Sequence, residues 1–216
     1  MDAYIDIHTH KQSATGLSVI NRHEDFAQAL DGVTCSLGVH PWYIQADAPD
    51  TQLANLRQYA ALPNVIAIGE CGLDKATDTD WQLQGRVFAA QIALANELNK
   101  PLVIHCVRAY EEVLDILHDS QVAVPVIFHG FNKNAQLAER LINAGYYLSF
   151  GAALLNEGSY AAKALTHIPL ERIFLETDDS AVPIEQIYET AAGWLKTGKD
   201  ALILQLQNNF SRVFNI

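Results

Sequence analysis

The sequence predicts a parallel α/β protein, on three observations. Short runs rich in Val, Ile and Leu alternate with longer amphipathic stretches, the rhythm of strand and crossover helix around a parallel sheet. The apolar runs number eight, as many as a closed (β/α)8 barrel requires. At six of them a histidine or an acid stands at or beside the carboxyl end.

In chain order the strand candidates are AYIDIH (3–8), LSVIN (17–21), TCSLGVH (34–40), VIAIGE (65–70), PLVIHC (101–106), PVIFHG (125–130), YYLSFG (146–151) and RIFLETD (172–178). Helical windows lie between them. Residues 80–99 carry Val87, Phe88, Ile92, Ala95 and Leu98 on one side, and residues 109–120 carry Val113, Leu114 and Leu117. Residues 134–145 end at Gly145, a natural helix stop, and residues 200–214 form a last helix against the outside of the sheet. From His10 to Leu17 the chain is too short for a crossover helix, because a parallel connection takes about a dozen residues or more. The expected architecture is a slightly distorted (β/α)8 TIM barrel whose first crossover helix is shortened or missing.

Length and composition bound the rest. A chain of 216 residues is long enough for one well-buried core and short for two, so residues 1–216 are expected to form a single domain. Hydrophobic residues make up 50% and charged residues 18%, which fits a folded soluble chain and excludes a disordered one. No apolar run approaches the roughly 20 residues of a membrane helix, and the N-terminus lacks a basic region followed by an apolar stretch. A cytoplasmic protein is expected, monomeric, without a membrane and without an obligate protein partner. Cys35, Cys71 and Cys106 lack the close-paired spacing of a zinc knuckle or disulfide framework and read as reduced thiols. A net charge of -11 argues against nucleic-acid coating by a basic surface. It leaves room for a phosphate gripped through bound cations, which are often the largest local charges in a site.

The chemistry sits at the strand ends, where barrel active sites lie. Alternation puts His8 and His10 on one face of the first strand, with Asp6 beneath them. His40, Glu70, His105, His129 and Asp178 occupy the corresponding end of five other strands. Imidazoles gathered at a common mouth need partners, and a divalent cation supplies them. Four histidines and two carboxylates suit zinc or manganese and are too rich in nitrogen for calcium. Six ligands also exceed the three of a tetrahedral catalytic zinc, so two metals fit better.

These residues carry a specific resemblance. HTH (8–10), GVHP (38–41), GECGLD (69–74), PLVIHC (101–106), VIFHGF (126–131) and FLETD (174–178) resemble the ordered motif series of the TatD family of metal-dependent hydrolases, a branch of the amidohydrolase superfamily. The resemblance implies a deoxyribonuclease that cleaves phosphodiester bonds with two divalent ions, Zn, Mn or Mg, and a water bridging them as nucleophile. It implies that His8, His10, Glu70 and Asp178 hold the first metal, and that Glu70 bridges to a second completed by His105 and His129. His40 would touch the scissile phosphate, and Glu70, Asp178 and His40 would form the catalytic set, with Asp178 accepting the water's proton. The substrate would be nucleic acid or a small phosphodiester.

Other positions are read more plainly. Arg108 stands one place later than the family's arginine and can still reach a phosphate; Trp42, beside GVHP, can stack on a nucleobase or pack on its own loop. Asp74 is expected to support the loop after Glu70. His23, His118 and His167 match no motif and read as surface or capping residues, and Trp81 and Trp194 as helix-packing residues. Two further readings stay open: a metal-dependent amide or ester hydrolase of the same superfamily, and a non-catalytic metal-binding barrel.

Overall fold

In a computed structural model, which describes residues 4–12 and 15–216, each of the eight apolar runs contains a strand. They are β1 (Ile5–Thr9), β2 (Leu17–Arg22), β3 (Cys35–Leu37), β4 (Val65–Asp74), β5 (Leu102–Val107), β6 (Val126–Phe128), β7 (Tyr147–Phe150) and β8 (Ile173–Leu175). The helices are α1 (Pro49–Ala60), α2 (Trp81–Leu98), α3 (Tyr110–Asp119), α4 (Ala135–Asn143), α5 (Tyr160–Leu165), α6 (Ile184–Leu195) and α7 (Lys199–Phe214). The strands follow one another in chain order in one sheet, and Thr9 forms a parallel bridge with Asp178 beyond β8. That is the ring connectivity of a (β/α)8 barrel.

The short first connection is as irregular as its length requires. Its described residues form no helix, and Ser13 and Ala14 lie outside the described residues. After β2 the chain makes a 3-10 turn over Phe26–Asp31, capped by Asp25, whose side chain accepts from the Ala27 N–H. The four helices expected from periodicity form as α2, α3, α4 and α7, while α1, α5 and α6 were not foreseen. In α1 the buried positions are only Gln52, Leu56 and Ala60, too thin an apolar stripe to read. No helix is long and apolar enough to cross a membrane, among the described residues.

The chain divides into two compact units, one comprising the residues up to Ile20 with Ile127–Ile216, the other Asn21–Val126. In the first, Phe131 packs edge-on to Phe150, and Phe174 to Phe214, all of them buried. In the second, α2 lays Val87, Phe88, Ile92 and Ala95 onto the sheet, where β4 and β5 bury Ile68, Leu73, Val103 and Ile104. Each such Val, Ile, Leu or Phe side chain contributes about 1.5–3 kcal/mol on burial. α2 starts where the Asp80 carboxylate accepts from the Leu83 N–H and stops at Asn99, which takes a left-handed backbone.

Candidate metal centre

In the unit Asn21–Val126 the central carboxylate is Glu70. Register against β5 pairs Gly69 with Val103 and Cys71 with Ile104, so Glu70 is the extra residue of a β-bulge. A bulge re-aims a side chain that simple alternation would send elsewhere. Gly38 makes room for it: a Cβ there would stand 2.5 Å from the Glu70 carbonyl oxygen. Glu70 Oε1 lies 2.7 Å from His105 Nδ1 and 3.3 Å from His40 Nε2. Its Oε2 accepts from Asn21 Nδ2 at 3.1 Å.

Both imidazoles are held by the groups around them. His40 Nδ1 accepts from the Trp42 N–H at 3.1 Å, so in the neutral ring the proton sits on Nε2, facing Glu70. His105 turns Nε2 to Asp74 Oδ2 at 3.0 Å, and the same oxygen accepts from Trp42 Nε1 at 2.7 Å. A carboxylate that takes one imidazole N–H fixes the tautomer and leaves the other nitrogen, here Nδ1, for a cation. Burial by itself raises the Asp74 carboxyl, but the bonds from the Ala76 N–H, His105 and Trp42 outweigh it and hold it below its ordinary range. Two buried glutamines of α2 secure the backbone: Gln91 bonds both the N–H and the carbonyl of Val39, beside His40, and Gln84 bonds both of Asp74.

The unit that contains β1 and β8 carries the second group. Tyr188 of α6 clamps β1, its hydroxyl donating to the Ile5 carbonyl at 3.0 Å and accepting from the Ile5 N–H at 3.1 Å. Asp6 accepts from the Thr177 N–H at 3.0 Å and from the Thr177 hydroxyl at 2.6 Å. The Asp178 N–H donates to the His8 carbonyl at 2.9 Å. These bonds bring His8 Nε2 and His10 Nε2 to 3.7 and 3.5 Å from Asp178 Oδ1. His129 Nδ1 stands 3.5 Å from Glu176 Oε1, and its ring lies 4.3 Å from that of His8.

Glu176 is the test of whether a cation belongs here. It is fully buried; Oε1 accepts from the Gly130 N–H at 2.6 Å, while Oε2 is buried with no hydrogen-bond partner. An uncompensated buried carboxylate costs several kcal/mol. Ligand atoms of His129, Glu176 and Asp178 lie within 4.8 Å of one another, as do those of His8, His10 and Asp178, and in the other unit those of His40, Glu70 and His105. The donor sets fit a divalent transition metal such as zinc or manganese.

Trp42 is 55% exposed with its indole N–H tied to Asp74 at the end of β4 rather than to its own loop, and a ring surface stays open. Arg108 is exposed just past β5, with a left-handed backbone. Asp74 supports its loop through the Ala76 N–H and, beyond that expectation, also orients His105. His23, half-buried, stacks on Tyr43 at 4.5 Å. Glu176 and Asn21 join the site only in the folded structure. Glu176 carried a signal, since it precedes Asp178 by two and so shares its strand face if the strand runs on. Nothing local distinguished Asn21.

Comparison with known proteins places the chain in a family. The family profile of TatD related DNase matches residues 6–215. An uncharacterized metal-dependent hydrolase, YabD of Bacillus subtilis, is 35% identical over 74% of this chain and 63% of its own length. The protein named 3'-5' ssDNA/RNA exonuclease TatD of Erwinia tasmaniensis is 31% identical over 77% of this chain and 63% of its own. The chain thus spans less than two thirds of either relative. The crystal structure of YJJV, a TatD homolog from Escherichia coli, superposes with a TM-score of 0.89 over 100% of both chains at 23% identity, which speaks for the fold. With its profile match running almost from end to end, the chain belongs to the TatD-related DNase family.

Proposed function

We propose that the protein is a metal-dependent phosphodiesterase that removes nucleotides from single-stranded nucleic acid. The observation that carries this reading is the pair of histidine and carboxylate groups at the strand ends, one of them enclosing the partnerless Glu176 oxygen. The choice of nucleic acid over other esters is supported by the exonuclease name of the Erwinia relative.

In this reading His8, His10 and Asp178 hold one cation, with His129 and Glu176 beside it, and Glu70 and His105 hold a second. Such cations lower the pKa of water and draw charge from phosphoryl oxygens. The chain's own residues do the rest. Asp178, whose side chain is 40% exposed, accepts the proton of the attacking water. His40 donates its Nε2–H to a phosphoryl oxygen. As water oxygen bonds to phosphorus, the bond to the leaving oxygen breaks, and that oxygen takes a proton from solvent. Trp42 offers a ring face to a base, worth about 1–3 kcal/mol per stacked base, and Arg108 a guanidinium to a phosphate.

The test uses metal-stripped protein supplied with Mn, Mg or Zn and an end-labelled single-stranded oligonucleotide. Cleavage that requires added metal and vanishes in Glu70→Ala is expected. Cleavage undiminished in Glu70→Ala sinks the metal assignment, and metal binding without cleavage of any phosphodiester returns weight to an ester or amide substrate.

A further inference from the structure

We infer that Asn21 is a positioning residue that sets the Glu70 carboxylate, an inference resting on the metal-binding reading above. Asn21 is the last but one residue of β2, a strand that supplies no other member of the site. Its side chain is buried and makes two bonds to one residue: Nδ2 donates to Glu70 Oε2 at 3.1 Å, and Oδ1 accepts from the Glu70 N–H at 3.0 Å. The backbone N–H can only donate, so it fixes which end of the amide is oxygen and leaves Nδ2 for the carboxylate.

Two consequences follow for Glu70. Its side chain cannot swing without breaking the Oε2 bond, and its main chain, at a bulge where the ladder is locally interrupted, gains a hydrogen-bond acceptor. With Oε2 engaged, Oε1 is the oxygen turned to His40 and His105. Asparagine alone serves here. Aspartate has the same reach but no donor, serine has a single polar atom, and glutamine is one methylene too long for both bonds. Groups that hold a metal ligand in place this way are typically worth about 10–100-fold in metal affinity or activity.

The experiment measures Mn2+ binding by calorimetry, and kcat and KM for an oligonucleotide, in wild type, Asn21→Asp and Asn21→Ala. Asn21→Asp keeps the acceptor for the Glu70 N–H but replaces the donor by a carboxylate oxygen that repels Glu70 Oε2, so it tests orientation in a chain whose backbone contact is intact. Expected is a loss of about 10–100-fold in one of the Mn2+ binding steps, with kcat reduced, KM unchanged and melting of Asn21→Asp still cooperative. In a Glu70→Gln background, Asn21→Asp should weaken Mn2+ binding no further. Wild-type Mn2+ affinity in both single variants overturns the inference, as does an Asn21→Asp effect that persists undiminished in the Glu70→Gln background. Wild-type protein that binds Mn2+ but cleaves nothing overturns the nuclease reading alone, because the Mn2+ isotherms of the variants still decide the role of Asn21; failure of wild type to bind Mn2+ overturns both.

Discussion

The two histidine–carboxylate groups are built differently. Around Glu70 the imidazoles and carboxylates lie 2.7–3.3 Å apart, and every oxygen of Glu70 and Asp74 faces a donor or an imidazole nitrogen. Around Asp178 the corresponding distances are 3.5 and 3.7 Å, and Glu176 Oε2 is buried without a hydrogen bond. The first group is held together by protein hydrogen bonds. The second sets its nitrogen and carboxylate oxygen atoms farther apart, at separations that suit ligands sharing a cation. The lesson is that one fold can combine a preorganised carboxylate with one whose burial is repaid only by metal.

Substitutions in each group test that contrast. The largest effect is expected from His8→Ala, which removes a proposed ligand from the group around Asp178; activity should fall by more than the roughly 100-fold typical of supporting residues. A steady-state assay at saturating Mn2+ that shows a smaller loss would weaken the contrast at its root. Next is Glu176→Gln, for which metal affinity should drop about 10–100-fold. In metal-free protein the same change should raise the melting temperature, because a neutral amide is cheaper to bury than a carboxylate with an unsatisfied oxygen. Glu70→Gln should lower it, since both Glu70 oxygens already accept bonds. Calorimetry with and without chelator measures both signs, and a Glu176→Gln protein that melts lower than wild type would contradict the account.

Asp74→Asn comes third, with about a tenfold loss of Mn2+ affinity expected, near the lower end for a residue that orients a ligand. Its amide has a single oxygen for donors on two sides, the Ala76 N–H and the pair Trp42 and His105, so one side loses its acceptor and Trp42 fluorescence should shift as well. The smallest effect on activity is expected from Asp6→Asn. Burial pushes the Asp6 carboxyl up from 3.8 to about 6, against the lowering by its bonds from Thr177. The folded state therefore holds this proton more tightly than the unfolded one, and its stabilising contribution, full below pH 3.8, is lost as pH rises through about 6. In metal-free Asp6→Asn the fall in stability across that window should flatten, as thermal melts at a series of pH values would show.

Much of this was legible from local pattern, and for a physical reason. A parallel strand buried on both faces must read as a continuous apolar run, and residues two apart on it must share a face, so eight strands and the pairing of His8 with His10 could be read directly. The histidines at the ends of β3, β5 and β6 were legible because they interrupt such runs. Glu70 and Asp178 were legible in the same way, as the acidic ends of VIAIGE and RIFLETD, and the family's motif order added their roles. The aim of Glu70, however, depends on a bulge, which alternation does not foresee.

Packing added what no local rule contains. Asn21 meets Glu70 across 49 positions of sequence, Trp42 meets Asp74 across 32, and Tyr188 clamps Ile5 across 183. Each is a polar side chain of ordinary appearance in its own segment. What makes it matter is the requirement that a buried donor or acceptor find a partner, and that partner is chosen by the folded sheet rather than by any neighbour in the chain.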